Sequence, residues 1–219
     1  MNKALKVVLI GAAVGMLVSA AATAQQPTRG FGFGGSMLMA FFPDMTGVNT
    51  FMSENGLPSM GDMLIGGGGN GRGGVIGGPV FGGAGWGLVA TSEAEGRRAE
   101  LVFGGGGFDM GHALAGDRNS VLTLGAVLGG GANVLAVTTT PVNGESVAPS
   151  AIVIEPTTRE LGRAVGFIQP YLSMAAQLLP WMGFEFRLGY VFPLFGFGFG
   201  DDFGIPAPRL DLSGPTVSF

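Results

Sequence analysis

The chain has 219 residues, of which 47% are hydrophobic and only 12% are charged. Glycine and proline account for about a quarter of it, with 43 and 13 residues, but a disordered chain would be poorer in apolar residues and richer in charge. Lysine is confined to the first six residues. The rest carries nine arginines against 15 acidic residues, which argues against the clustered basic surface that nucleic-acid binding requires.

Residues 1–24 have the organisation of a secretory signal peptide. Two lysines precede an apolar run at 7–18, which is short for a membrane span, and Ala22 and Ala24 supply the small residues of a cleavage site. We therefore expect a mature chain that begins at Gln25, with a retained N-terminal anchor helix as the alternative. The chain has no cysteine, which excludes disulfides and thiolate metal sites, and export without disulfides favours a bacterial envelope.

The first predicted element of the mature chain is a strand at 31–41. Large apolar residues alternate there with glycine and serine over much of its length, and this period of two is typical of a strand with one apolar face. That face consists of Phe31, Phe33, Met37, Met39 and Phe41.

A short helix is predicted near 45–55. Asp44 is suited to cap its beginning, Gly56 stands where a helix commonly ends, and Pro58 follows. A helix of about three turns is marginal by itself, so we expect it to pack on or plug a β structure. Its apolar face consists of Met45, Val48, Phe51 and Met52.

Three glycine runs, at 66–69, 104–107 and 129–131, each follow a short apolar segment. Their spacing is irregular, which excludes a solenoid of fixed period. Because glycine inside a strand marks bends, bulges or close backbone approach, we interpret the runs as parts of strands in a strongly curved or tightly packed sheet. Flexible loops are the alternative. The segment 121–137 is apolar or small on both faces.

Residues 138–160 form the longest polar segment. It contains three prolines and an Asn-Gly pair at 143–144, all of which favour turns. We predict a long exposed loop here, with a short strand inside it at 151–154.

The clearest pair of strands lies at 167–178 and 183–192. The first strand carries Gln169 and Gln177 on one face, and the second carries Glu185 and Arg187 on one face. This alternation predicts an antiparallel hairpin with one polar and one apolar face. The apolar face of the second strand consists of Phe184, Phe186, Leu188, Tyr190 and Phe192.

A transmembrane helix at 164–184 is the alternative for this region, because the segment contains no charged residue. Pro170, Pro180 and the alternation that continues immediately afterwards disfavour it.

The residues that most enzymes use are scarce. His112 is the only histidine, and although Asp109 lies three residues away, we interpret it as a surface or turn residue. A G-x-G-x-x-G pattern at 66–71 is not followed by a helix, so it offers no phosphate cradle. We expect no catalytic residue, no cofactor and no metal; a pair of buried acids facing each other across a cleft would reopen the question.

Several short elements resemble a broad, poorly characterised group of exported, glycine-rich envelope proteins. They are the helix with Asn49 and Gly56, and the segments 65–69, 75–78, 169–171 and 188–190. The resemblance implies a fold type and an envelope location, and it implies no catalytic residue.

The hairpin ending at 187–190 also looks like strands of small outer-membrane β-barrels. Val217 and Phe219 resemble the C-terminal assembly signal of those proteins, although Gly214 and Pro215 interrupt the expected alternation.

These observations predict one mainly β domain at 25–219, an antiparallel barrel-like sheet with one short helix. The function expected of it is that of a non-enzymatic outer-membrane protein, structural or a narrow pore, with the lipid bilayer as partner. Gln169, Gln177, Glu185 and Arg187 would then form a lumen or polar face. The alternative is a soluble, exported, glycine-rich β-sandwich that acts as a binding module, which the segment 121–137 favours.

Five aromatic residues distinguish the two alternatives. In a closed barrel we expect them exposed on the outer wall, whereas in a sandwich they are core residues. They are Phe31, Phe33, Phe184, Phe186 and Phe192.

Overall fold

A computed structural model describes residues 30–94, 96–117, 119–139, 157–179, 182–201 and 212–219. The predicted signal peptide and most of the predicted polar loop lie outside these residues. The described chain is mainly β, as the sequence predicts, with eight antiparallel strands and one helix. The strands are β1 (Gly30–Phe41), β2 (Leu64–Val75), β3 (Pro79–Ala94), β4 (Arg97–Gly116), β5 (Ser120–Thr139), β6 (Thr157–Leu179), β7 (Met182–Asp201) and β8 (Gly214–Ser218).

The eight strands form a single ring in which each strand pairs with its neighbours in sequence, and β8 closes the ring against β1. Met39 pairs with Ser218, and Ser218 pairs with Arg187 on the other side of β8. Ring closure removes the free edges of an open sheet wherever the strands are paired. The fold is therefore a closed antiparallel barrel.

The predicted hairpin is confirmed as β6 and β7. Its register pairs Met174 with Phe186 and Leu172 with Leu188, so the large apolar residues of the two strands share one face. Both strands are longer than predicted, because β6 begins at Thr157 and β7 continues to Asp201. The glycine runs lie within strands β2, β4 and β5, which confirms their interpretation as strand segments.

The two ends of the barrel differ in the length of their connections. At one end, which we call the turn end, residues 76–78, 117–119 and 180–181 join successive strands. At the other, the loop end, the connections at 42–63, 140–156 and 202–213 are long, and only the one at 95–96 is short.

The helix α1 (Thr46–Glu54) lies in the first connection of the loop end, as predicted. Its N-cap residue is Met45, which makes no side-chain cap bond, so Asp44 lies one residue before the cap position. Hydrogen bonds from the Thr46 side chain and from the Thr46 backbone N–H, the latter 3.0 Å from Asp44 Oδ1, lower the pKa of the Asp44 carboxyl group. Gly56 ends the segment with a φ of 63°, a left-handed conformation that glycine adopts without strain. Arg97 at the start of β4 donates a bond of 2.6 Å to the Gly56 carbonyl oxygen and so ties the helix to the barrel.

The loop half of the barrel is filled by an apolar core to which the helix contributes. Phe41 of β1 contacts Phe103 of β4, with ring centroids 5.5 Å apart, and Trp86 of β3 contacts Phe167 of β6 at the same separation. These strands are not neighbours, so the side chains meet across the interior. The four predicted apolar residues of the helix, Met45, Val48, Phe51 and Met52, are buried in the same cluster.

Closely packed strand backbones explain the glycine content. A side chain at Gly68 would overlap the carbonyl oxygen of Gly85 on β3, and one at Gly107 would overlap that of Leu128 on β5. Gly87, by contrast, has open space where its side chain would be. Some glycines are therefore required by close backbone approach and others are not.

Candidate functional site

Five polar or charged side chains from four strands converge inside the turn half of the barrel. Alternation along each strand turns them inward, in line with the buried apolar residues nearer the loop end. We call them the interior network: Arg72 of β2, Asp109 of β4, Tyr171 of β6, and Glu185 and Arg187 of β7.

Arg187 lies between the two carboxylates of the interior network. Its Nη2 is 3.1 Å from Asp109 Oδ2, across the barrel, and 3.2 Å from Glu185 Oε1 on its own strand. Its Nε donates a further bond of 3.3 Å to the same Glu185 oxygen. One guanidinium group therefore bridges two acids, in the geometry that makes arginine suited to buried ion pairs.

Arg72 approaches Glu185 from the other side. Its Nη2 is 2.8 Å from Glu185 Oε1 and donates a bond of 2.6 Å to Ser173 Oγ, while its Nη1 donates to Tyr171 Oη at 3.0 Å. The second carboxylate oxygen of Glu185 accepts a bond of 3.1 Å from Asn70 Nδ2. Glu185 is thus held by β2 as well as by its own strand.

Tyr171 connects the two halves of the interior network. Its hydroxyl donates to Asp109 Oδ1 and accepts from Arg72, and the Arg187 guanidinium carbon lies 4.0 Å from the centre of its ring. A cation over an aromatic face at this distance is attracted by the ring. The ring therefore stabilises Arg187 in a position where water is excluded.

The interior network is neutral as a whole, with two cations and two anions. The exposed fraction of the side chain is 1% for Arg72, 3% for Arg187 and 0% for Asp109, and only Glu185, at 15%, reaches an accessible cavity. Removing these charges from water is costly unless each of them is paired and hydrogen-bonded. Here every charge has an opposite charge within 3.2 Å.

The four residues predicted for a lumen or polar face are distributed as follows. Glu185 and Arg187 belong to the interior network, and Gln169 is buried beside it, where its Nε2 donates a bond of 2.9 Å to Thr216 of β8. Gln177 is half-buried and lines the cavity described below.

Arg72, Asp109 and Tyr171 were missed as functional candidates by the sequence analysis. Each is the polar residue at an inward position of a glycine-rich or apolar strand, and this is the only local signal they carry. Asp109 was considered only beside His112, which occupies the opposite parity of β4 and is buried. The interpretation of His112 as a surface or turn residue is therefore wrong, because β4 continues past it to Gly116.

A cavity of about 400 Å³ adjoins the interior network at the turn end. The cavity lies in the gap between β1 and β7 beyond the end of β8. The pairing of β8 reaches Met39 on β1 and Arg187 on β7. Nearer the turn end, no strand of the described residues lies between the facing edges of β1 and β7. The cavity therefore opens through the barrel wall. Its lining includes Phe31, Phe33, Ile76, Asn70, Phe184 and Glu185.

The five aromatic residues expected on the outer wall are divided by the structure. Phe184 and Phe186 are exposed there, and Phe192 is half-buried. The expectation is wrong for Phe31 and Phe33, which are half-buried and pack against the apolar cluster of Val80, Ala113 and Val121 at the turn end. They share the inward parity of Met37 and Met39, whereas Gly32 and Gly34 occupy the outward positions beside them.

No group of three or more histidine, aspartate or glutamate residues suited to a metal ion occurs within the described ranges. No helix in the described part of the chain is long and apolar enough to cross a membrane. The fold and the interior network define a closed eight-stranded antiparallel barrel with a filled interior. No protein-family model matches the chain, and no curated protein or solved structure is significantly similar to it.

Proposed function

We propose that the protein is a non-enzymatic β-barrel of the outer membrane, with a structural or binding role. The observation that carries this proposal is an outer wall that is apolar around the barrel. The exposed apolar side chains include Leu38, Ile65, Phe81, Val102, Phe108, Leu128, Leu172, Met174, Phe184, Leu188, Phe195 and Phe197. A soluble protein rarely exposes so continuous an apolar surface, whereas lipid requires one.

Charge is confined to the ends and the interior of the barrel. On the outward positions of the described strands, acidic and basic residues occur only near the loop end, at Glu93, Arg98, Glu100 and Glu160. Between them and the turn end the outward side chains are apolar, small or uncharged. This is the distribution that a hydrocarbon layer selects.

The apolar outer wall also explains the composition of β5, which contains the segment 121–137 that favoured a sandwich. Along β5, Val121, Val127 and Leu135 are buried inside, while Leu128 is exposed on the other face. A barrel with a packed interior in a bilayer needs apolar residues on both faces of its strands, so this pattern does not require two packed sheets.

A filled interior supports a structural or binding role over conduction. Rings from β1, β3, β4 and β6 meet in the loop half, the helix adds Phe51 and Met52 to them, and the interior network occupies part of the turn half. Small barrels of eight strands are commonly filled by side chains in this way.

The interior network also supports a non-enzymatic role. Asp109 and Glu185 are two buried acids, but Arg187 occupies the space between them and binds both. Glycoside hydrolysis would need a sugar and a water molecule that reach both carboxylates. Neither molecule can reach both carboxylates in this arrangement.

Membrane residence is tested by a charge placed on the outer wall. Leu172 on β6 is 45% exposed and pairs with Leu188, which is also exposed, far from either strand end. In a bilayer we expect Leu172→Arg to reduce the free energy of unfolding by about 2–4 kcal/mol, whereas in water an exposed substitution changes it by about 0.5 kcal/mol or less. Unfolding by urea from lipid vesicles measures the difference.

Thr91→Arg is the matched control, because Thr91 is exposed near the loop end of β3, opposite Glu100. A charge near the interface costs about 0–1 kcal/mol. If both variants are as stable as the parent and the mature protein remains in the aqueous fraction without detergent, the soluble exported binding module replaces the membrane barrel.

A further inference from the structure

We infer that the cavity in the barrel wall binds a small, uncharged, mainly apolar molecule that carries a hydroxyl group. The inference goes beyond the proposed function, since it concerns a ligand and holds for a barrel in lipid or in detergent. It starts from the volume of about 400 Å³, which lies within the range of small-molecule sites. Such sites also occur preferentially at the mouths of β-barrels.

The walls of the cavity determine the apolar part of the ligand. Phe31, Phe33 and Ile76 form one side, and Met182 and Phe184 lie on the other, across the gap between β1 and β7. The first three also pack against the small apolar cluster at the turn end, which fixes their positions. The gap gives an apolar molecule access from the outer wall without passing the filled loop half.

The polar end of the cavity determines the ligand's head group. Glu185 is the one acid of the interior network that is accessible from the cavity, and a carboxylate offers about four acceptor positions. Its Oε1 is occupied by both arginines, whereas its Oε2 accepts one bond, from Asn70. One acceptor position on Oε2 is therefore left for a donor that comes from the cavity.

The charge balance of the interior network selects an uncharged donor. Arg72 and Arg187 neutralise Asp109 and Glu185, so an ammonium group in the cavity would be desolvated without a counter-charge. A carboxylate group would place a lone-pair acceptor against Glu185 and would lack a donor. A hydroxyl group supplies one hydrogen bond and no net charge, which fits the remaining acceptor.

The test compares three probes of equal chain length with the folded protein in detergent micelles: 1-octanol, octylamine and octanoate. Two-dimensional amide NMR follows residues 30–36 and Asn70 during each titration. We expect saturable shift changes with 1-octanol, and affinities roughly tenfold weaker or worse for the two charged probes, because each leaves a buried group unpaired. Equal, non-saturating shifts with all three probes would mean partition into the micelle only and would overturn the inference.

A cavity-filling variant separates the site from the rest of the surface. Gly35 lines the cavity, and a Cβ atom there would have no heavy atom within 4 Å. Gly35→Leu therefore places a side chain in the cavity and should abolish the saturable shifts. Gly87→Leu adds the same side chain on β3, at another unobstructed position that is not part of the cavity lining, and should leave them intact. Gly35→Ala, the smaller change, should weaken 1-octanol binding only partly.

Unchanged 1-octanol binding in a folded Gly35→Leu variant would overturn the inference, as would a preference for either charged probe. Neither result bears on membrane residence, which the Leu172→Arg comparison measures in vesicles. Failure of the ligand site and failure of the membrane barrel are therefore distinguishable.

Discussion

The contacts in the interior network predict that substitutions at Asp109 and Arg187 have strongly coupled effects on the free energy of unfolding. The two residues lie on strands that are not neighbours. Asp109→Asn keeps the shape of the side chain and an acceptor for Tyr171, but it leaves two arginines against one acid. Arg187→Met keeps the length of the side chain and leaves two acids against one arginine. Each single change therefore leaves one uncompensated charge in a site with almost no exposure to solvent.

The magnitude follows from the burial of the pair. Removing one partner of a buried ion pair costs about 3–5 kcal/mol, because the other charge loses its compensation without regaining water. The double variant is neutral again, since Arg72 and Glu185 remain paired at 2.8 Å. We expect it to cost less than about 2 kcal/mol, against a sum of at least about 6 kcal/mol for the two single changes, which gives a coupling energy of at least about 4 kcal/mol.

The assay is reversible urea unfolding of the four proteins in lipid vesicles, followed by tryptophan fluorescence. Trp86 reports on the interior, because it is buried against Phe167. Glu100→Gln is the control, since it removes the exposed Arg98–Glu100 pair at 3.3 Å and should change the stability by about 0.5 kcal/mol or less. Additive effects of the two single changes, or single changes no larger than that of the control, would refute the reasoning about the network.

Three further predictions concern the backbone, the helix and one turn. Gly68→Ala should destabilise the barrel by about 1–3 kcal/mol, because its side chain would overlap the Gly85 carbonyl oxygen. Gly87→Ala, with open space around it, should be neutral or stabilising by about 0.4–1 kcal/mol. Urea unfolding compares the two variants, and equal effects would contradict the close approach of β2 and β3. Met52→Ala should cost about 2–5 kcal/mol in the same assay if the helix belongs to the barrel core, and a cost near zero would mean that the helix unfolds independently. Hydrogen bonds from the Asn119 and Ser120 backbone N–H groups lower the pKa of Asp117. The carboxylate therefore stabilises its turn fully above the usual pKa of an aspartate, and this stabilisation disappears as the pH falls through the lowered pKa. Amide hydrogen exchange at Asn119 and Ser120 should depend on pH in this way in the parent, and Asp117→Ala should lose the dependence.

Local patterns in the sequence determined the elements and much of the fold class. Period-two alternation is a property of a strand's own geometry, so it predicted the first strand and the hairpin of β6 and β7 without knowledge of their partners. The short helix was also predictable, because Asp44, the apolar face and Gly56 all lie within one short segment. In the same way, alternation placed Glu185 and Arg187 on the polar face of their strand.

Only the tertiary structure decided which face of each strand is inside and what the inward residues meet. Phe31 and Phe33 have the same alternation as Phe184 and Phe186, yet the first pair faces the interior and the second the outer wall. The reason is that a barrel in which both the interior and the outer wall are apolar gives the two faces of a strand similar composition.

The interior network depends on contacts between distant parts of the chain. Arg72 and Glu185 are more than a hundred residues apart in sequence, and Asp109 and Arg187 are 78 apart, so no local pattern connects them. They meet because ring closure and strand register bring β2, β4, β6 and β7 to the same level of the barrel. Register is fixed by the pairing of whole strands, and for that reason the site is a property of the closed barrel and of no single segment.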